Sequence, residues 1–214
     1  MQRFLVQQNL LRFQRRLTIE PLEAMRATLR GLIAAAKRDL AILDAAQTGA
    51  MPGPQIHAEA VRRSLFQREF ETQASPSMLL DARAGLRVVD VNDAYARHTL
   101  AARDKVAGEK LFDVFPDNPD DPEADGVSNL YASIHTAART RETHVMATQR
   151  YDVRDASGRF VEKHWAPRNV PVFDAGGRLI YILHQAEDVT AEVVAARAAA
   201  GSGAKALAGG PIGA

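Results

Sequence analysis

The chain has 214 residues, 46% of them hydrophobic and 25% charged, enough apolar material for one packed domain with extensions. Lys and Arg number 27 against 26 Asp and Glu, a net charge of +1, which gives no broad electrostatic attraction for nucleic acid or an anionic membrane. Cysteine is absent, which excludes a disulfide scaffold, a Cys-ligated zinc or iron–sulfur centre, and any cysteine adduct. No apolar run approaches the roughly 20 residues of a membrane helix, and the start Met1-Gln2-Arg3-Phe4-Leu5-Val6-Gln7-Gln8 breaks its apolar run too early for a signal peptide. The expected location is the cytoplasm, with neither nucleic acid nor membrane as partner.

Residues 1–53 read as a helical, coiled-coil-like extension and a linker. Leu10, Phe13 and Leu17 repeat at helical spacing, and Leu22, Met25, Leu29, Leu32, Ala36 and Leu43 continue the stripe. Thr18 is placed to cap the second helix and Pro21 suits its first turn, so a hairpin or a kinked long helix is expected. Gly and Pro at residues 47–54 mark the linker. A flanking helix is expected over 54–72, with Ile56, Ala60, Leu65, Phe66 and Phe70 on one face.

A third segment, 73–190, carries the main domain. Met78–Asp81 and Leu86–Val91 read as strands around an Ala-Gly turn. Asn92 or Asp93 can cap the next helix, because a short side-chain oxygen accepts the free N–H groups of a first turn. Leu111, Phe112, Val114 and Phe115 form an apolar cluster before an Asp- and Pro-rich loop, and a helix is expected from Val127 to Arg139, capped by Asp125. Three strands follow, near 143–153, 159–172 and 178–188, joined by turns at Asp155-Ala156-Ser157-Gly158 and Asp174-Ala175-Gly176-Gly177. The order implies an α+β fold, an antiparallel sheet with helices on one face. Apolar residues fall on both faces of the last strands: Tyr181 and Leu183 on one, Ile182 and Ala186 on the other. Both faces must then be covered, the second by the 54–72 helix or by a second subunit. Residues 191–214 are expected to form a weak Ala-rich helix and a disordered tail from residue 201.

Five pieces in this order resemble a PAS domain. They are Ser75–Asp81, Val89–Tyr95, Gly108–Asp117, Trp165–Val172 and Glu187-Asp188-Val189-Thr190. The resemblance covers about 120 residues, from Phe70 to Thr190. It implies a five-stranded antiparallel sheet in the order 2-1-5-4-3, helices enclosing a small-molecule pocket, and a strand-ending Asp188-x-Thr190 that passes a signal to the following helix. It further implies a sensory or interaction module of bacterial signal transduction, two-component systems included, dimerising through flanking helices and answering to a small molecule or a signalling partner. Alternatives are the sensor portion of a histidine kinase whose catalytic domains lie elsewhere, or a ligand-free dimerisation scaffold.

Candidate pocket residues are Tyr131, Gln149, Tyr151, Trp165 and Asn169, polar-tipped groups able to orient a ligand. The alternative for the aromatics is a core role with satisfied polar ends. No catalytic residue is proposed: P-loop, GxSxG and HExxH patterns are absent. No cofactor is assigned. His135 is the one histidine placed for haem, in surroundings unlike a haem sensor, and flavin has no supporting residue. The loop Asp117–Gly126 opens like a calcium loop but lacks the bidentate Glu at position twelve. His164 and His184 lie on neighbouring strands without a third metal ligand, so no metal is expected. His57 lacks the surroundings of a phosphorylated histidine.

Overall fold

The computed structural model describes residues 1–51 and 65–207; expectations for Ile56, His57 and Ala60, and for residues 208–214, lie outside them. Helix α1 (Gln2–Ile19) and helix α2 (Glu23–Thr48) form a hairpin. Thr18 does not cap α2; its hydroxyl donates back to Gln14 O, as helical Thr commonly does. The turn is held by Glu20, whose carboxylate accepts from Leu22 N at 3.3 Å and pairs with Arg16 at 2.9 Å. Helix α3 (Leu65–Thr72) leads into strands β1 (Ser77–Asp81) and β2 (Val88–Val91). Short helices α4 (Asp93–Thr99), α5 (Arg103–Val106) and α6 (Leu111–Val114) and the long α7 (Gly126–Thr140) follow.

The chain then returns to the sheet with β3 (His144–Val145), β4 (Gln149–Arg150), a small ribbon of β5 (Val153–Arg154) and β6 (Phe160–Val161), and the long strands β7 (His164–Phe173) and β8 (Leu179–Asp188). Helix α8 (Thr190–Leu207) leaves from β8. The order β2-β1-β8-β7-β3, all antiparallel, is the expected 2-1-5-4-3, with the third strand divided into β3 and β4 along the edge of β7. The division has a register cause. Val145 lies opposite Arg168, yet Gln149 lies opposite Trp165, so this edge carries one extra residue. A bulge flips the alternation of everything beyond it, which brings Met146 to the same side as Gln149, Tyr151 and Val153. Two ends also differ from expectation. The Ala-rich α8 stays helical through residues 201–207, although Gly201 and Gly203 are poor helix formers. At α7, Asp117 Oδ1, not Asp125, accepts from a first-turn amide, Val127 N, at 2.9 Å.

The inner face of the sheet is the core. Met78, Leu80, Val88, Val91, Ile182 and Ala186 pack against Leu111, Val127, Leu130, Ile134 and Ala137, all buried. Each Val, Leu, Ile or Met among them contributes about 1.5–3 kcal/mol. The outer face is covered too: Phe70 of α3 packs in a second cluster with Leu79, Ile180, Tyr181 and Leu183.

The hairpin is part of this core. Helix α2 runs along α7, and Ala41, Ala45 and Ala50 belong to the main cluster. Arg38 clamps the contact, pairing with Asp117 at 2.6 Å and donating to Ala124 O at 2.8 Å. Beyond α2, Ala50 N donates to Ala82 O and Gly85 N to Ala45 O.

Candidate functional site

Between the sheet and helices α4, α6 and α7 lies a cavity with about 40 Å³ open to the centres of water-sized molecules. Its walls are aromatic and aliphatic: Tyr95, Leu111, Phe115, Leu130, Met146, Tyr151, Trp165 and Ala186 among them, with Thr99, Gln149 and His184 as polar members. Among the described residues, no Asp, Glu, Lys or Arg lines it.

Two of the aromatics are fixed by committed polar ends. The Tyr151 hydroxyl donates to Phe115 O, and the Trp165 indole N–H donates to Tyr151 O at 2.8 Å. Tyr95 packs edge-on against both Phe115 and His184 at ring separations of 5.9 and 6.0 Å. Burial pushes the phenols of Tyr95 and Tyr151 up, so both stay protonated. Gly126 is a glycine because Tyr151 lies on it: a Cβ there would sit 2.0 Å from the Tyr151 ring.

Behind the wall runs a hydrogen-bonded chain. His184 Nδ1 donates to Asn169 Oδ1 at 2.9 Å, Asn169 Nδ2 donates to Ser133 Oγ at 2.7 Å, and Ser133 Oγ is hydrogen-bonded to His144 Nδ1 at 2.7 Å. Burial holds the His184 pKa down at about 4. The unfolded chain binds a proton there near pH 6.5 and the folded chain does not, so stability falls as pH drops from 6.5 towards 4. Between pH 7 and 5 this group is expected to remove about 2 kcal/mol. Urea unfolding at the two pH values checks it: the loss in His184→Gln should be smaller by that amount.

Of the residues singled out from sequence, Gln149, Tyr151 and Trp165 lie in the cavity wall. Asn169 stands behind it, fully buried and bonded to His184. Tyr131 is not in the wall: its hydroxyl donates to Gly49 O at 3.1 Å across the contact with the hairpin. On α7 the inward positions are Leu130, Ser133, Ile134 and Ala137, and Tyr131 is one residue, about 100°, off that stripe. His135 stacks at a tilt against Tyr131 and is likewise outside the wall. His164 Nε2 bonds Glu162 and His184 bonds Asn169, so the two do not converge; no cluster of three metal-ligating acids or histidines occurs among the described residues. In the acidic loop, Asp117 pairs with Arg38 and Asp121 with Arg150. His184, Tyr95 and Met146 were missed as wall residues. For His184 the signal was present, since it shares strand parity with Ile182 and Ala186.

Asp188 and Thr190 form the joint between β8 and α8. Asp188 Oδ1 accepts from the Thr190 amide at 3.0 Å and its hydroxyl at 2.5 Å, and Oδ2 accepts from Lys163 Nζ at 2.6 Å. Burial works to raise the Asp188 pKa but is outweighed by Lys163 and Thr190, which bring it down to about 2. Thr190 Oγ1 accepts from His164 N at 2.9 Å, and Val189 N donates to His164 O. One rung of the sheet therefore crosses the molecule: Gln149 lies opposite Trp165, and Trp165 opposite Asp188.

The PAS fold model matches residues 72–194, more than half the sequence. The chain belongs to the PAS fold family. Its PAS domain is similar to several solved structures at low identity. The structure of an RNA-binding light-oxygen-voltage receptor is 16% identical, covering 68% of this chain and 38% of that one, with a TM-score of 0.45. The PAS domain of a protein from Colwellia psychrerythraea is 14% identical over 58% of this chain and 94% of its own, at a TM-score of 0.43. The Rhodobacter sphaeroides light-oxygen-voltage protein is 18% identical over 66% and 74%, at 0.44. The chain thus spans well under half the length of the first of these. No curated protein matches the sequence. Among the described residues, no helix is long and apolar enough to cross a membrane.

Proposed function

We propose that this PAS domain is a sensory and interaction module of bacterial cytoplasmic signal transduction, without catalysis of its own, in which occupancy of the cavity biases how α8 leaves the sheet. The observation that carries this reading is the sharing of residues 164 and 165. Trp165 is cavity wall, and its neighbour His164 holds the start of α8 through Thr190 and Val189. A ligand that binds two positions of Trp165 unequally shifts the population of two α8 poses by that difference. Asp188 and Thr190 are the transfer residues, and the downstream recipient is a signalling protein reached through α8.

The module works as a homodimer assembled through the flanking hairpin. Phe4 and Leu11 on α1 are 61% and 42% exposed, and Met25 and Leu32 on α2 are 46% and 41% exposed. Each pair is seven residues apart, as on a coiled-coil ridge. Sedimentation velocity should find a dimer for the full chain and a monomer for Leu11→Glu; a monomeric full chain at high micromolar concentration refutes the assembly.

The joint is tested separately. Thr190→Val keeps the side chain's shape and removes both hydroxyl bonds. Amides 190–197 should then exchange with deuterium at least tenfold faster, since ~1.4 kcal/mol is a modest loss for two hydrogen bonds. Unchanged protection of α8 would show that the Asp-x-Thr joint transmits nothing.

A further inference from the structure

We propose that the cavity takes an uncharged, single-ring-sized ligand bearing a hydrogen-bond donor, which Gln149 Oε1 accepts. The inference rests on reading the cavity as the sensory site and adds the chemistry of what enters it.

Size and shape come first. The free space, about 40 Å³ for the centres of water-sized molecules, is bounded by the Trp165, Tyr151, Tyr95 and Phe115 side chains. Such a slot favours a flat, largely apolar molecule over an extended one. Charge comes second. Among the described residues, no acidic or basic chain reaches the wall to pair with an ionised ligand. A carboxylate or ammonium would lose its hydration and gain no partner, which is prohibitive in an apolar interior.

Polarity then selects within the neutral ligands. Three donors of the wall are committed: Tyr151 to Phe115 O, Trp165 to Tyr151 O and Thr99 to Tyr95 O. His184 spends its N–H on Asn169, which leaves its Nε2 as an acceptor. Gln149 Oε1 is the buried side-chain polar atom without a hydrogen-bond partner among the described residues. An orphaned buried acceptor is unusual in a folded protein and asks for an explanation. Here it belongs to a wall residue, opposite Trp165 on the rung that ends at Asp188. A ligand N–H or O–H completes it, and places the ligand's one directional contact on the strand pair that leads to α8.

The chain carries its own reporter, because Trp165 is its single tryptophan. The experiment titrates the full chain with phenol, toluene and benzoate, following the lone indole cross-peak in proton–nitrogen correlation spectra. Phenol should move the peak saturably, toluene should bind about tenfold more weakly for want of the donor, and benzoate should not bind measurably. In Gln149→Leu, with melting checked to confirm the fold, phenol should lose its advantage while toluene binds at least as well as before. Equal binding of phenol and toluene to the unmodified chain, or benzoate binding as well as either, overturns the ligand class and leaves the cavity reading standing. If none of the three moves the peak, both fall together.

Discussion

Asn92→Ala is expected to remove about 3–5 kcal/mol of stability, a large share of the ~5–15 kcal/mol typical of a domain. Asn92 is fully buried. Its Oδ1 accepts from Ser77 N at 3.0 Å and Tyr95 N at 2.8 Å, capping α4 and tying it to the first residue of β1. Its Nδ2 reaches the carbonyls of Phe70, Gln73 and Ser75 at 3.3, 3.3 and 3.0 Å. Alanine strands two buried amides, each costing about 1–3 kcal/mol, and releases the segment that carries Phe70 onto the outer face of the sheet. Asn92→Asp keeps the cap but points a carboxylate at three carbonyls, so it should be nearly as harmful. Urea unfolding followed by circular dichroism measures both; a loss below about 1 kcal/mol for the alanine variant would show that water takes over the bonds.

Gly49→Ala should cost about 3 kcal/mol or more, for two independent reasons. The backbone of Gly49 has φ 63° and ψ −138°, a combination open to glycine and strained for any residue with a Cβ. That Cβ would also lie 2.2 Å from Arg83 O and 2.6 Å from Ala82 O, backbone atoms that cannot swing aside as a side chain would. The damage should be local: amides of the α2 C-terminus and of the 82–86 turn lose protection against hydrogen exchange first. Gly85→Ala is the control. Gly85 also has a positive φ, 97°, but a Cβ there meets nothing within 4 Å, so only conformational strain of about 1–2 kcal/mol remains. Equal losses at the two sites would rule out the close approach of Gly49 to the strand turn as a cause.

The fold was largely written in local chemistry. Asn92 after a β-branched run announced a strand that stops and a helix that starts, and the Asp-x-x-Gly turns at 155–158 and 174–177 formed where composition placed them. Two-sided apolar strands implied two covered faces, and Phe70 meets that requirement on the outer one. The edge strand was harder to read. Strict alternation over 143–153 puts Met146 opposite Gln149, and only knowledge of the extra residue beside β7 reverses it. Long-range contacts were equally hidden. Asp117 serves the first turn of α7 from ten residues away, and Tyr131 turns to the hairpin because α2 lies there. The Gln149, Tyr151 and Trp165 side chains were legible as wall because their parity and polar tips pointed inward on neighbouring strands; His184 had the same parity but was weighed only as a metal ligand.

The burial of Ala41, Ala45 and Ala50 within the main core changes what can be transplanted. The family match begins at residue 72, but a splice made there would strip the cover from α7, leave Asp117 without its guanidinium, and open alanine-sized holes beneath the first strands. In a chimaeric receptor the smallest portable unit therefore carries the hairpin with it. Heat should melt helices and sheet in a single step, and no proteolytic fragment lacking the first two helices should survive as a folded species.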